Sequence, residues 1–230
     1  MKILALSDVH CDWDKFKVQD MPDADCAVVA GDLTDWGLRH EQGHVVKSQK
    51  FMDDLAGKYG HVFWIPGNHE LDMKPDYYDA SYDEEEGEWP WQIIGIYHRK
   101  AYIYGVFPDG IYKRSFQGVS CSPCYDMPQL AEMWDYMTAD PAKEKAVYAS
   151  LEPCDVLVSH CPPYGYLDNA GYIIGRGEAH IGSKELLDYI EREQPMLVIC
   201  GHVHGDGGKE CMIGKTRVVN TAQRWKVLEV

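Results

Sequence analysis

The sequence predicts an α/β protein: a four-layer α/β/β/α sandwich, two mixed β-sheets flanked by helices. Three observations predict it. Five apolar runs, each containing β-branched residues, end at a residue able to bind a metal. Segments with helical spacing lie between some of them. Further strand-like stretches occupy the middle and the tail. At 230 residues, one domain over residues 1–230 is the simplest organisation.

The first run is Lys2 to Leu6, which ends at Ser7-Asp8-Val9-His10. The second, Cys26 to Ala30, ends at Gly31-Asp32. The third, His61 to Ile65, leads into Pro66-Gly67-Asn68-His69-Glu70. Asp155 to Val158 ends at Ser159-His160, and Met196 to Cys200 ends at Gly201-His202-Val203-His204. Continuous apolar runs read as central strands covered on both faces. An open α/β sheet places its binding loops at the ends of such strands.

Helices fill intervening segments. Val45, Gln49, Met52, Leu55 or Ala56, and Tyr59 recur at helical spacing, with Gly60 as the stop. Asp140-Pro141 is a cap followed by proline at the first helical position, opening a helix to about Ala149. Ser183 caps a helix that turns Leu186, Leu187 and Ile190 inward. Trp91 to Ile96, Ala101 to Phe107 and Ile111 to Phe116 read as strands, and a second sheet is expected from them. Glu210 to Ile213, Arg217 to Asn220 and Lys226 to Val230 extend the strand-like tail.

The formal net charge of -15 disfavours extended nucleic acid and anionic membranes as partners, because both need a basic surface. A small phosphorylated substrate remains compatible, since two bound dications reverse the local field. No run of 18 apolar residues exists, so no membrane span is expected. The N-terminal run resembles a secretion signal only briefly: Asp8, His10, Asp12 and Asp14 interrupt it. Eight cysteines in a chain this long are expected to be reduced thiols, and the expected location is cytoplasmic. The oligomeric state is left open.

Asp8, His10, Asp32, Asn68, His160, His202 and His204 are the candidate metal ligands. Carboxylate, amide oxygen and imidazole all bind metals. Asp8 and His10 leave one strand end toward the same side. Gly31, Gly67 and Gly201 each precede a candidate ligand and permit tight turns. Each short pattern is common alone; five in order, each after an apolar run, are not.

These five blocks, Asp8-Val9-His10, Gly31-Asp32, Gly67-Asn68-His69-Glu70, Ser159-His160 and Gly201-His202-Val203-His204, resemble those of the calcineurin-like metallophosphoesterases. The resemblance implies a two-sheet sandwich with a dinuclear site at the strand ends. It assigns one metal to Asp8, His10, Asp32 and His204, and the other to Asp32, Asn68, His160 and His202, with Asp32 as the bridge. It implies hydrolysis of a phosphoester by a water held between the metals. The metals expected are two divalent or trivalent ions, Mn2+ or Fe first, with Zn2+, Ni2+ and Mg2+ also admitted. His69 is implied as a catalytic group beside the metals, steadying the phosphoryl group or protonating the leaving oxygen, a role suited to imidazole. Asp35 is implied as the group that orients His69.

The protein serine/threonine phosphatases of that superfamily carry Gly-Asp-x-x-Asp-Arg-Gly. Here Gly31-Asp32-Leu33-Thr34-Asp35-Trp36-Gly37 puts tryptophan where an arginine fork would grip phosphate, which argues against a phosphoprotein phosphatase. Ser159-His160-Cys161-Pro162-Pro163-Tyr164-Gly165 and the stretch after it are similar to small members related to cyclic-nucleotide phosphodiesterases. The expected substrate is therefore a small phosphodiester or phosphomonoester. Trp36, Tyr164, Tyr166 and Tyr172 are candidates for a stacking surface, although ordinary packing is the simpler assignment for each. Arg99 and Arg176 are candidate phosphate contacts, with a surface position the plainer reading. The alternative from another class is a non-catalytic metal-binding or protein-interaction module on the same fold.

Several features read as incidental. Cys121-Ser122-Pro123-Cys124 has no second close pair to complete a zinc site, and Cys161 and Cys200 read as fillers beside strands. His40, His44, His61, His98 and His180 have no comparable constellation. Asp83 to Glu88 reads as a solvated acidic loop.

Overall fold

A computed structural model describes residues 1–40, 44–78, 92–107, 110–173 and 177–230. The chain opens with β1 (Lys2–Ser7) and β2 (Cys26–Val29), then helix α1 (His44–Tyr59) and β3 (His61–Trp64). β4 (Gln92–Gly95), β5 (Lys100–Phe107) and β6 (Gly110–Val119) form the middle. A short ribbon of β7 (Ser122–Pro123) and β8 (Met137–Thr138) brackets the single-turn helix α2 (Leu130–Met133). Helix α3 (Pro141–Ala149), β9 (Val156–Ser159), the ribbon of β10 (Asn169–Ile173) and β11 (Gly177–His180), and helix α4 (Lys184–Glu193) follow. The tail holds β12 (Leu197–Cys200), β13 (Glu210–Ile213), β14 (Thr216–Asn220) and β15 (Arg224–Glu229).

Two large mixed sheets result. The first runs β15-β1-β2-β3-β4 and the second β13-β14-β12-β9-β6-β5. All five ligand-bearing runs are parallel central strands. Their side chains alternate between two covered faces, which explains the unbroken apolar sequence. Ile3, Ala5, Val28 and Phe63 face Phe116, Val158, Ile199 and Val219 between the sheets. Phe63 stacks on Phe116 with ring centroids 4.3 Å apart. On the outer face of the first sheet, Leu4, Ala27, Val62 and Trp64 meet Phe51, Met52, Leu55 and Ala56 of α1. On the outer face of the second, Leu157, Val198 and Val218 meet Tyr148 of α3 and Leu186, Tyr189 and Ile190 of α4. The layers are thus helix, sheet, sheet, helix, as predicted. Each fully buried aliphatic or aromatic side chain contributes about 1.5–3 kcal/mol.

The predicted helix signals act as read. Asp140 accepts a hydrogen bond from the Ala142 N–H, with Pro141 as the first helical residue. The Ser183 hydroxyl accepts from the Leu186 N–H. Gly60 ends α1 with a φ of 73°. One expectation is corrected. The three middle strands do not make one sheet: β4 adds to the first sheet, parallel to β3, while β5 and β6 pair in the second. The tail also divides, with β13 and β14 in the second sheet and β15 closing the edge of the first. Local sequence marks a strand but not its neighbour, so this partition is a tertiary decision. Trp91 and the Asp83 to Glu88 loop lie outside the described residues. No helix among the described residues is long and apolar enough to cross a membrane.

Candidate metal centre

The loops after β1, β2, β3, β9 and β12 converge at one edge of the interface between the sheets. The turns that bring them there are tight. Asp8, His10, Asp32 and His202 all have positive φ, between 47° and 64°, which non-glycine residues rarely adopt. Left-handed backbone at four candidate ligands is strain maintained by the surrounding fold, a hallmark of functional sites. Glycines supply the clearance. A methyl group on Gly67 would come 2.2 Å from Asp32 Oδ1, and one on Gly201 would come 2.2 Å from Asp8 Oδ2.

All seven sequence-predicted ligands meet here: six in two donor clusters, with Asn68 against His160 of the second. The first contains Asp8, His10 and His204, and the second Asp32, His160 and His202. In each, one candidate donor atom per residue lies within 4.8 Å of the others. His204 Nε2 is 3.1 Å from Asp8 Oδ1 and 3.1 Å from His10 Nε2. His160 Nε2 is 3.2 Å from Asp32 Oδ2 and 3.0 Å from Asn68 Oδ1. Asp32 Oδ2 is also 3.8 Å from His10 Nε2, so one carboxylate oxygen faces both clusters. Imidazole nitrogens and carboxylate oxygens converging in this way are the donor chemistry of first-row divalent ions. The residues present fit a metal pair.

The supports around the ligands differ in kind. His160 Nδ1 lies 2.8 Å from the Ala30 carbonyl, and the His69 N–H donates to Asp32 Oδ1 at 2.8 Å. The His202 N–H donates to both oxygens of Asp8, and the Ser7 hydroxyl donates to one of them. Glu70 belongs to a sequence motif that assigns it no role. Its fully buried carboxylate accepts the N–H groups of Asp32, Gly67 and Thr34 at 2.7, 2.7 and 3.0 Å, locking two ligand loops together. Burial, and then the charge of Asp32, raise the Glu70 carboxyl to about 7 against these bonds.

Charge is balanced within the clusters. Burial alone would disfavour an ionised Asp8, but His10, His204 and His160 outweigh it and hold its carboxyl well below the usual range. Burial alone would also lower His160 and His10. The carboxylates of Asp32 and Asp8 win, raising them to about 10 and about 9. Burial, reinforced by the charge of His160, pushes His202 the other way, to about 4.

His69 and Asp35 depart partly from expectation. Asp35, His10 and His69 form a third group whose donor atoms lie within 4.8 Å of one another, and the hydrogen bond of the Asp35 carboxylate goes to His10. Asp35 Oδ1 lies 2.8 Å from Nδ1 of His10, so it steadies a candidate metal ligand. Asp35 reaches His69 through its backbone: the Asp35 carbonyl lies 3.0 Å from His69 Nδ1. With that nitrogen donating, Nε2 is the atom left to act on a substrate. The ring of Trp134, a residue with no sequence signal, packs on His69 with centroids 4.2 Å apart.

A cleft of about 580 Å³ adjoins the centre, lined by Asn68, His69 and His202 together with Trp134, Tyr164 and Met127. Of the stacking candidates, Tyr164 lines this cleft. Trp36 and Tyr166 are also partly exposed but are not among its lining residues. Arg99 donates to the Gly95 carbonyl instead of lining the cleft. Arg176 lies outside the described residues, as do the side chains of Tyr172, His40 and His44. All eight cysteines are free thiols. Burial lowers His61 and His98, and His180 pairs with the buried Asp168 at 2.7 Å.

The sequence profile of the calcineurin-like phosphoesterase family matches residues 1–206. A UPF0046 protein of Caenorhabditis elegans is 31% identical over 233 residues, covering 97% of this chain and 70% of that protein. Metallophosphoesterase domain-containing protein 1 of Homo sapiens is 27% identical over 239 residues, covering 96% of this chain and 65% of that protein. The chain thus spans 65% to 70% of the length of these relatives. A solved structure superposes with a TM-score of 0.59 at 18% identity, covering 99% of this chain and 94% of its own. A protein of Thermus thermophilus gives 0.55 at 16% identity, covering 98% of this chain and 97% of its own. At these identities the two structures bear on the fold alone.

Proposed function

The chain belongs to the calcineurin-like phosphoesterase family, and on that premise we propose that it is a dinuclear-metal hydrolase of a small phosphodiester or phosphomonoester. One observation carries the reading: two donor clusters share Asp32 and open onto a cleft that His69 also lines. Asp8, His10, Asp32 and His204 would hold one ion, and Asp32, Asn68, His160 and His202 the other. Bound there, the ions supply Lewis acidity, offsetting charge on the phosphoryl oxygens and making an attacking water more acidic.

The chain's own residues do the rest. Asp35 and the Ala30 carbonyl hold His10 and His160 at their Nδ1 atoms, leaving Nε2 of each turned toward the clusters. Glu70 fixes the Asp32 and Gly67 loops relative to one another. His69, held at Nδ1 by the Asp35 carbonyl, offers a proton from Nε2 to the leaving oxygen when the ring carries both protons. Trp134 limits the swing of that ring and forms the adjacent wall of the cleft. The cleft volume suits a compact substrate. Mn2+ or Fe is the proposed native metal, and the cytoplasm the proposed location.

The test is a metal-stripped protein reloaded with Mn(II), Ni(II), Mg(II) or Zn(II) and assayed on 4-nitrophenyl phosphate and bis(4-nitrophenyl) phosphate. Metal-dependent turnover with about two ions per chain is expected. Full metal loading without turnover on either ester would favour a metal-binding module.

A further inference from the structure

We infer that the turn Asn220–Gln223, which lies beyond the family-matched residues, is part of the metal centre, with Gln223 the positioning residue for His204. The family match ends at residue 206. Yet the side-chain amide nitrogen of Gln223 lies 3.1 Å from His204 Nδ1. His204 Nε2 is the atom that faces Asp8 and His10. For Nε2 to offer its lone pair to a cation, the ring proton must sit on Nδ1. The two ends of a glutamine amide exchange by a half-turn, so the Gln223 carbonyl oxygen reaches the same point and accepts that proton.

The turn is built to hold this side chain in place. Gln223 has a φ of 55°, a left-handed conformation that its own side chain does not favour. Its N–H donates to the Ser7 carbonyl at 3.0 Å, beside Asp8. Buried Asn220 ties the other flank. Its amide donates to the carbonyls of Gly201 and Val203 at 3.3 and 3.1 Å, on either side of His202, and its oxygen accepts from the Ala222 N–H at 2.8 Å. The Thr221 N–H donates to the Cys200 carbonyl at 2.7 Å, at the end of β12. One turn therefore braces both loops that carry Asp8 and His204.

The inference rests on the proposed metal pair, and the test separates the two. Metal uptake by the intact chain is measured by titration against a competing chelator for wild type, Gln223→Ala and Gln223→Glu. Wild type is expected to bind two Mn(II). Gln223→Ala should lose about 10- to 100-fold in affinity at one site while the other is unchanged. Gln223→Glu, which keeps an acceptor, should bind at or above wild-type affinity. Unchanged affinity at both sites in Gln223→Ala, or equal loss at both, would overturn the positioning role. So would a Gln223→Glu variant as weak as Gln223→Ala. A wild-type protein that takes up no metal would sink the dinuclear reading itself, and the inference with it.

Discussion

The two donor clusters are made of the same residue types but are held differently. His160 of the Asp32–His160–His202 cluster is fully buried; main-chain groups touch its donors directly, the Ala30 carbonyl on His160 and the His69 N–H on Asp32, while the buried Glu70 carboxylate ties the Asp32 and Gly67 backbone behind them. The Asp8–His10–His204 cluster opens to solvent through its histidines, and the side chains of Asp35 and Gln223 orient those rings. A main-chain support is inseparable from the fold, whereas a side-chain support can be substituted alone. The buried cluster should therefore respond to mutation as part of the core, and the open cluster as an adjustable site.

The largest effect should come from the residue that joins them. Asp32→Asn is expected to weaken both sites and cut turnover by more than about 10³-fold, beyond the loss of a single hydrogen-bond donor. Elemental analysis and a chromogenic assay measure the two effects together. Two retained ions with full activity would show that the clusters do not share this carboxylate.

His69→Ala sharpens the comparison from outside both clusters. Turnover should fall about 10²- to 10⁴-fold, the range for one general acid, while two ions remain bound. A variant that also lost metal would place His69 among the ligands and erase the distinction between donor and proton source.

The smallest and most graded effect is that of pH. His160 and His10 are raised to about 10 and about 9 in the metal-free protein. Each must lose its proton before its nitrogen binds a metal, so affinity rises with pH and levels off near those values. Both clusters should strengthen with pH above neutrality. Chelator competition across that range measures both curves, and two flat curves above neutrality would show that the protons lie elsewhere. The linked stability runs the opposite way. Raised histidine values contribute fully to the metal-free fold below the unfolded value of about 6.5. That contribution fades as pH climbs through about 9 and 10.

Much of the centre was legible because its candidate ligands follow parallel central strands. A strand covered on both faces must be apolar throughout, so the first charged or imidazole side chain after Leu6, Ala30 or Ile199 stands out. The supports left weaker signals. Glu70 sits inside a ligand motif, yet three N–H groups converging on its carboxylate cannot be read from a string. Trp134 and Gln223 lie in segments with no metal-binding pattern and reach the centre only through folding. Asp35 was legible as a support, but which histidine its carboxylate serves depends on a side-chain direction across 25 residues of chain.

The sequence by itself determined the layer order, the helix caps and the identity of all seven candidate ligands, because burial periodicity, capping chemistry and donor type are local properties. Tertiary structure alone decided which sheet received β4 and β15, which histidine Asp35 orients, and that a turn after residue 206 braces the open cluster. Those outcomes depend on which distant backbone groups end up within hydrogen-bonding distance, and no local preference encodes that distance.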